Sequence, residues 1–134
     1  KWTGEIEHIL RYVDVFFPNE NELCAIMHEQ NIEKALKKAC EIIPLTIVKL
    51  GSKGSMFVDS GEIRKVKAID VDVVDTVGAG DAFDAGFLYG WLNGMPVARC
   101  AELGSLCGSL STTKGGGIEG QPRLHDLKRI LADI

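Results

Sequence analysis

The sequence predicts an α/β fold. Segments with the apolar spacing of amphipathic helices alternate with short runs of β-branched and aromatic residues, an alternation typical of helices packed on a sheet. The 134 residues can bury a sizeable core, and no internal repeat, low-complexity segment or linker separates them. We therefore expect residues 1–134 to form a single domain, and a partial one, because the chain begins mid-pattern at Lys1 without an initiator Met.

The composition argues against several classes of partner. The net charge of −4 offers no basic surface for nucleic acid or for an anionic membrane. No apolar run is long enough for a membrane span. The cysteines lack C-x-x-C spacing, so we expect buried free thiols rather than a disulfide or a metal centre. Such a chain suits the reducing cytosol, and we expect a cytoplasmic location.

The first half alternates helices with buried strands. Apolar positions three and four apart predict helices over 4–12 and 32–43. A further helix begins at Asn19, whose side chain suits a cap and is followed by an acidic first turn. The apolar runs 13–17 and 45–50 predict strands. The second run consists largely of β-branched and apolar residues, which predicts a central strand of a parallel sheet.

The second half begins with a hairpin and continues mainly as helices. Two strand-like runs flank Ser60-Gly61, which predicts a β-hairpin. Residues 71–74 (VDVV) resemble a further strand, and the apolar spacing predicts a helix that starts at Asp81. The segments 97–113 and 124–134 predict the last helices, separated by glycines and a loop.

The run Gly78-Ala79-Gly80-Asp81 lies where a predicted strand gives way to a helix. Its glycines permit unusual dihedral angles, and the near absence of side chains leaves backbone N–H groups open to an anion. Asp81 has two interpretations. It is a helix-capping group, or it is a base that accepts a hydroxyl proton while the neighbouring N–H groups hold a transferring phosphoryl group.

Competing glycine motifs do not fit this run. The dinucleotide fingerprint G-x-G-x-x-G needs glycine or alanine at its sixth position, which is Phe83 here. The P-loop G-x-x-x-x-G-K-[ST] and the hydrolase motif G-x-S-x-G do not occur. A nicotinamide-dependent oxidoreductase is therefore a remote alternative.

Three other segments are candidate sites with plainer alternatives. The turn 49–54 (KLGSKG) could cradle phosphate oxygens or simply connect two strands. Asn19 and Glu22 have the spacing of a capping box, and would also let both side chains orient water around a phosphate-bound Mg²⁺. Residues 111–117 could hold a monovalent cation or a ribose, or could form a glycine helix C-cap.

Together these motifs resemble the ribokinase-like (PfkB) carbohydrate kinases. Residues 75–83 (DTVGAGDAF) are similar to the C-terminal signature of that family, 18–22 (PNENE) to its N-x-x-E motif, and 49–54 to its nucleotide loop. The order and separation of the motifs also agree. The resemblance implies a three-layer αβα fold, of which this chain is the C-terminal, nucleotide-binding half, with a parallel sheet and a small hairpin.

The resemblance also implies roles for individual residues. Asp81 is the catalytic base, Gly78, Ala79 and Gly80 form the anion hole, and Glu22 serves Mg²⁺ indirectly. The nucleotide-binding residues are Asn19, Lys49, Gly51, Ser52, Lys53, Gly54 and Ser105. The positions of a monovalent cation site, occupied by K⁺ in some members, are Asp75, Val77, Ser111, Lys114, Gly116 and Gly120. Val77 and Ser105 depart from the residues commonest at their positions.

We therefore interpret the chain as part of an enzyme that transfers phosphate from ATP to a hydroxyl of a sugar. The residues that select the sugar in such kinases lie in the other half, so the sugar is not specified here. We expect that half, or a second copy, as a partner. The alternative is a non-catalytic remnant that binds nucleotide or a partner protein; the intact Asp81 argues against it.

Overall fold

The computed structural model describes residues 5–117 and 119–132. The chain divides into two compact units, Lys1–Lys67 and Ala68–Ile134. The interpretation of the chain as a single partial domain remains a prediction.

The first unit contains the helices α1 (Glu5–Leu10), α2 (Glu20–Met27) and α3 (Ile32–Cys40). The α1 helix lies within the segment predicted to be helical, and α2 starts directly after Asn19, as predicted. The α3 helix ends at Cys40, three residues before the predicted end. Beyond it the chain turns, and Ile43 is fully buried.

The strands of the first unit are β1 (Val15–Phe16), β2 (Leu45–Thr46), β3 (Val48–Lys49), β4 (Ser55–Asp59) and β5 (Glu62–Val66). Strands β1 and β2 pair in parallel, whereas β3, β4 and β5 form an antiparallel sheet. The segment predicted as one strand over 45–50 is divided at Ile47 and ends at Lys49. Its parallel pairing nevertheless continues past Ile47, because the Ile47 N–H donates to the Phe16 carbonyl and the Lys49 N–H donates to the Pro18 carbonyl, while β3 also pairs with β4 on its other side.

The predicted hairpin is confirmed. Strands β4 and β5 pair along their whole length, and Ser60 and Gly61 connect them with φ of 52° and 81°. Two consecutive residues with positive φ match the right-handed twist of the paired strands. The strands and helices of the first unit enclose an apolar core whose fully buried members include Leu23, Leu36, Ile43, Val48 and Met56.

The second unit contains α4 (Ala79–Leu92), α5 (Val97–Ser111) and α6 (Leu124–Ala132). The α4 helix begins two residues before the predicted start at Asp81. The strand predicted at 71–74 was wrong: these residues are not in a strand, and Val73 and Val74 are 60% and 67% exposed. A strand needs a neighbour, and here the Val74 N–H donates instead to the Thr112 carbonyl at 2.7 Å. Residues 133 and 134 of the last predicted helix lie outside the described residues.

Helices α4 and α5 approach each other closely through glycines. A Cβ atom on Gly86 of α4 would lie 2.9 Å from the Leu103 carbonyl oxygen of α5. One on Gly104 of α5 would lie 2.9 Å from the Phe83 carbonyl oxygen of α4. Any side chain at these positions would push the helices apart, so glycine sets the distance between them.

All four cysteines are free thiols, and the predicted burial holds for two of them. Cys100 and Cys107 are buried, and Cys24 and Cys40 are half-buried. Burial raises the pKa of the Cys107 thiol to about 11. Within the described residues, no helix combines the length and the apolar character that crossing a membrane requires.

Candidate active site

The start of α4 has no side chain that caps it. Gly78 occupies the N-cap position in a left-handed conformation, with φ of 77°. The Ala79 N–H donates to the Thr76 carbonyl at 3.2 Å. Among the described residues, no acceptor is in hydrogen-bonding position for the N–H groups of Gly80 and Asp81. These donors lie at the positive end of a 14-residue helix, a favourable place for an anion.

Asp81 is the third residue of α4, and its side chain is exposed. Within the part of the chain that the structure describes, its carboxylate makes no hydrogen bond or ion pair. The capping interpretation of Asp81 is therefore not realised in this structure. The carboxylate stands beside the open N–H groups of the same helical turn, so a proton acceptor and anion-binding donors occur together.

The turn before α4 is fixed by Asp75. One carboxylate oxygen, Oδ1, accepts from the Val77 N–H at 2.9 Å, and the other, Oδ2, accepts from the Gly116 N–H at 3.1 Å. These bonds from Val77 and Gly116 lower the pKa of Asp75 below its ordinary value, because they favour the ionised form. The Thr112 carbonyl accepts from the N–H groups of Val74 and Asp75.

Two glycines that sequence reasoning did not single out also contact this turn. A Cβ on Gly117 would lie 2.9 Å from the Val77 carbonyl oxygen, and one on Gly108 would lie 3.1 Å from the Ala79 carbonyl oxygen. The backbone therefore approaches the start of α4 from α5 and from the loop that follows it. The glycines at 104, 108 and 115–117 were a weak signal of close backbone approach. The sequence did not indicate which residue each glycine contacts.

The residues predicted to hold a monovalent cation all belong to the second unit. The structure brings Asp75 and Gly116 together by a hydrogen bond, and it places Gly120 against the Ser111 carbonyl, where a Cβ would lie within 2.5 Å of the oxygen. Lys114 lines an open surface pocket together with Gly120. Carbonyl oxygens and a carboxylate suit a hard cation. The role of these residues as cation ligands remains a prediction.

In the first unit, Asn19 and Glu22 form the capping box that their spacing predicts. The Glu22 N–H donates to Asn19 Oδ1 at 2.8 Å, and the Asn19 N–H donates to Glu22 Oε2 at 2.9 Å. Both side chains are exposed at the helix start. A role of Glu22 toward Mg²⁺ remains a prediction. Among the described residues there is no group of three or more His, Cys, Asp or Glu side chains that could hold a metal ion.

The predicted nucleotide loop is a tight turn beside Asn19. Gly51–Lys53 form a single 3₁₀ turn between β3 and β4, and Gly51 and Gly54 have positive φ of 60° and 97°. Lys49 forms a parallel bridge with Asn19. The N-x-x-E motif and the start of the glycine loop therefore lie on neighbouring backbone segments of the first unit. Gly51, Ser52 and Lys53 are exposed, whereas Gly54 is buried.

Ser105 lies on α5 and is only 5% exposed. Its hydroxyl has no hydrogen-bond partner among the described residues. A buried hydroxyl without a partner is unfavourable by about 1–3 kcal/mol. Ser105 shares this property with Thr46 and Ser55, whose hydroxyls are also buried without a partner among the described residues.

Curated relatives match most of this chain. The profile of pfkB family carbohydrate kinases matches residues 1–124. An uncharacterized sugar kinase of Archaeoglobus fulgidus is 38% identical over 124 residues, covering 92% of this chain and 49% of that protein. A ribokinase of Lactococcus lactis is 33% identical, covering 94% of this chain and 41% of that protein. The chain thus spans less than half the length of either relative.

Solved structures agree with the sequence comparisons. The ribokinase of Arabidopsis thaliana, solved in complex with ribose and ATP, matches with a TM-score of 0.83 and 30% identity, over 93% of this chain and 43% of that one. The ribokinase of Thermotoga maritima matches with a TM-score of 0.85 and 30% identity, over 94% of this chain and 44% of that one. The expected ribokinase-like α/β fold is confirmed, and the chain belongs to the pfkB family of carbohydrate kinases.

Proposed function

We propose that this chain is the nucleotide-binding half of a kinase that transfers phosphate from ATP to a hydroxyl of a sugar or a related small carbohydrate. The observation that carries the proposal is the start of α4. There a carboxylate without a partner stands next to backbone N–H groups without acceptors among the described residues. The start of α5 also lacks a side-chain cap, so the proposal rests on the combination of open N–H groups with an acidic side chain in the same turn.

Asp81 is the base in this proposal. Phosphoryl transfer passes through a loose transition state, so positioning and charge stabilisation account for most of the catalysis. The Asp81 carboxylate accepts the proton of the attacking hydroxyl. The N–H groups of Gly80 and Asp81 bind the oxygens of the transferring phosphoryl group, on which negative charge is concentrated. Ala79 contributes less, because its own N–H already donates to Thr76.

The first unit supplies a second phosphate-binding element. The exposed turn Gly51–Lys53 presents backbone groups and the Lys53 ammonium, and Lys49 lies next to Asn19. In the proposal these residues contact ATP, and Glu22 orients water around Mg²⁺. Mg²⁺ bound there would supply positive charge that offsets part of the negative charge of the phosphates. Glu22 must then either leave its bond with the Asn19 N–H or act through its second carboxylate oxygen.

Ser105 and the cation residues complete the proposal. The buried Ser105 hydroxyl would bind the adenine end of the nucleotide, which would supply the partner it lacks here. A K⁺ ion bound near Asp75 and Gly116 would lie beside the turn that precedes α4. Sugar selection would come from residues outside this chain. The alternative is a chain that binds nucleotide without turnover.

Two measurements test the proposal. Titrating the chain with Mg²⁺ and ATP should shift the amide resonances of 49–54 and 78–81 first. Shifts confined to other residues would show that the site is wrongly assigned. An ADP-release assay over a panel of sugars, with and without an added N-terminal segment from a relative, then separates the candidates. We expect turnover only with the added segment, whereas ATP binding that never leads to turnover would favour the non-catalytic chain.

A further inference from the structure

Asp75 joins two segments that lie far apart in the sequence. Its carboxylate accepts from Val77 at one end of the turn before α4, and from Gly116, 41 positions away, in the loop after α5. Both oxygens are used, one by each segment. The two segments also touch through backbone atoms, since a Cβ on Gly78 would lie 3.1 Å from the Gly117 carbonyl oxygen.

These bonds fix the residue that precedes the open helix start. Val77 is directly followed by Gly78, whose left-handed conformation sets the direction in which α4 begins. A glycine at that position is otherwise free to adopt many conformations. The bond from the Val77 N–H to Asp75 and the contact with the 115–117 loop restrict it from both sides. The orientation of the Gly80 and Asp81 N–H groups depends on this restriction.

We infer that Asp75 is a positioning residue that holds the turn, and with it the anion-binding N–H groups of α4, through these two backbone hydrogen bonds. The inference rests on the proposed function of α4 and adds to it a role for Asp75 that does not require a cation. A carboxylate suits the task because it offers acceptors on both oxygens. Charge-assisted bonds of this kind are stronger than those between neutral groups.

Hydrogen exchange of the unmodified chain is the first test. Val77 is 61% exposed and Gly116 is also exposed, and neither lies in a helix or strand. We expect their amide hydrogens to exchange about tenfold more slowly than an unbonded amide would, after correction for sequence. The comparison amide is that of Gly115, which is exposed in the same loop and makes no hydrogen bond among the described residues. Exchange of all these amides at the same corrected rate would overturn the inference.

The variant Asp75→Asn is the second test. Asparagine has nearly the same size as aspartate, but one of its two oxygens is replaced by an NH₂ group. This group is a donor and cannot accept the hydrogen bond from a backbone N–H. The matched control is Asp72→Asn, which removes the same charge from an exposed residue nearby. Without ligand, Asp75→Asn should shift the amide resonances of Gly80 and Asp81, whereas the control should not. Shifts no larger than in the control would contradict the inference.

ATP affinity separates positioning from cation binding. We expect Asp75→Asn to weaken ATP binding about tenfold in potassium-containing and in potassium-free buffer alike. A loss seen only with potassium would make Asp75 a cation ligand alone and would overturn the inference. If the unmodified chain does not bind ATP, the proposed function fails. The ligand-free exchange and resonance measurements would still decide whether Asp75 positions the turn.

Discussion

Helices α2 and α4 both carry an acidic side chain at their third residue, but they use it differently. In α2, Glu22 closes a reciprocal pair of hydrogen bonds with Asn19 at the N-cap. In α4, Asp81 faces an N-cap glycine that has no side chain to offer. The first helix start is stabilised by its own residues, whereas the second keeps its donors and its carboxylate available. The N-cap side chain therefore decides whether the N–H of the third residue is satisfied within the helix, as Asn19 satisfies that of Glu22 in α2. The bond from the N-cap N–H to the third-residue carboxylate forms in α2 and, between Arg123 and Asp126, in α6, whereas the described part of the structure shows none in α4.

The two helices also differ in what fixes their position. The cap fixes the start of α2. The α4 helix relies on glycine contacts with α5 along its length and on the Asp75 bonds before its start. A ligand-binding helix start can dispense with a cap only if other contacts hold it.

The largest effect should follow from removing the open carboxylate. In the complete enzyme, Asp81→Asn should lower kcat about 10²–10⁴-fold, because the amide cannot accept the hydroxyl proton. Stability should change by about 1 kcal/mol or less, since the side chain is exposed and has no described partner. Steady-state kinetics and thermal melts check both expectations, with Asp72→Asn as the control for loss of charge. A variant with nearly normal kcat would rule out the base assignment.

Crowding the contact between α4 and α5 should have the next largest effect, on stability. Replacing glycine by alanine within an exposed helix usually raises the free energy of unfolding by about 1 kcal/mol. Gly86→Ala should instead lose about 1–2 kcal/mol, because the new Cβ would meet the Leu103 carbonyl at 2.9 Å and Cys107 Sγ at 2.7 Å.

Denaturant unfolding measures this change in the free energy of unfolding. Gly115→Ala is the control, because a Cβ there meets nothing within 4 Å and its φ is not positive. A Gly86→Ala chain as stable as the control would mean that the helices tolerate a wider separation than the structure shows.

Removing the cap of α2 should have a smaller effect. Asn19→Ala should lower the free energy of unfolding by about 1 kcal/mol, because the Glu22 N–H loses its acceptor. Asn21→Ala, at an exposed position within the same helical turn, should change it by about 0.5 kcal/mol or less. Equal losses in the two variants would indicate that the capping box contributes nothing beyond helix propensity.

The effect of Cys107 should appear only at alkaline pH. Because the folded pKa of Cys107 is raised from 9.0 to about 11, the unfolded chain loses this thiol proton first as the pH rises. The Cys107 contribution to stability is therefore complete below pH 9 and declines between about pH 9 and 11. Denaturant unfolding across this range should show a steeper decline for the unmodified chain than for Cys107→Ser, which does not titrate there. Parallel declines would mean that Cys107 is more accessible to solvent than its packing indicates.

The sequence predicted those features that depend on neighbouring residues. A capping residue predicts the start of α2, and turn residues predict the Ser60-Gly61 hairpin. Apolar runs predict the strands that pair in parallel. The start of α4 was misplaced, because Gly78 gives none of the side-chain signals that mark a helix N-terminus. In the candidate site, the closeness of Asp81 to backbone donors could be predicted. The contacts of Asp75 with Gly116 and of Gly108 with Ala79 could not, because they join residues far apart in sequence.

The Ser60-Gly61 hairpin bears on the order in which the first unit folds. Strands β4 and β5 are joined by two residues, so pairing them closes only a small loop, and such hairpins form in about 1–10 μs. Pairing of β1 with β2 closes a much longer loop, which contains α2 and α3. Contacts between residues distant in sequence form late, because their loop-closure entropy must be overcome first. We therefore expect the hairpin to form early and to offer β4 as the edge on which β3 pairs. The parallel pair of β1 and β2 is expected to form last.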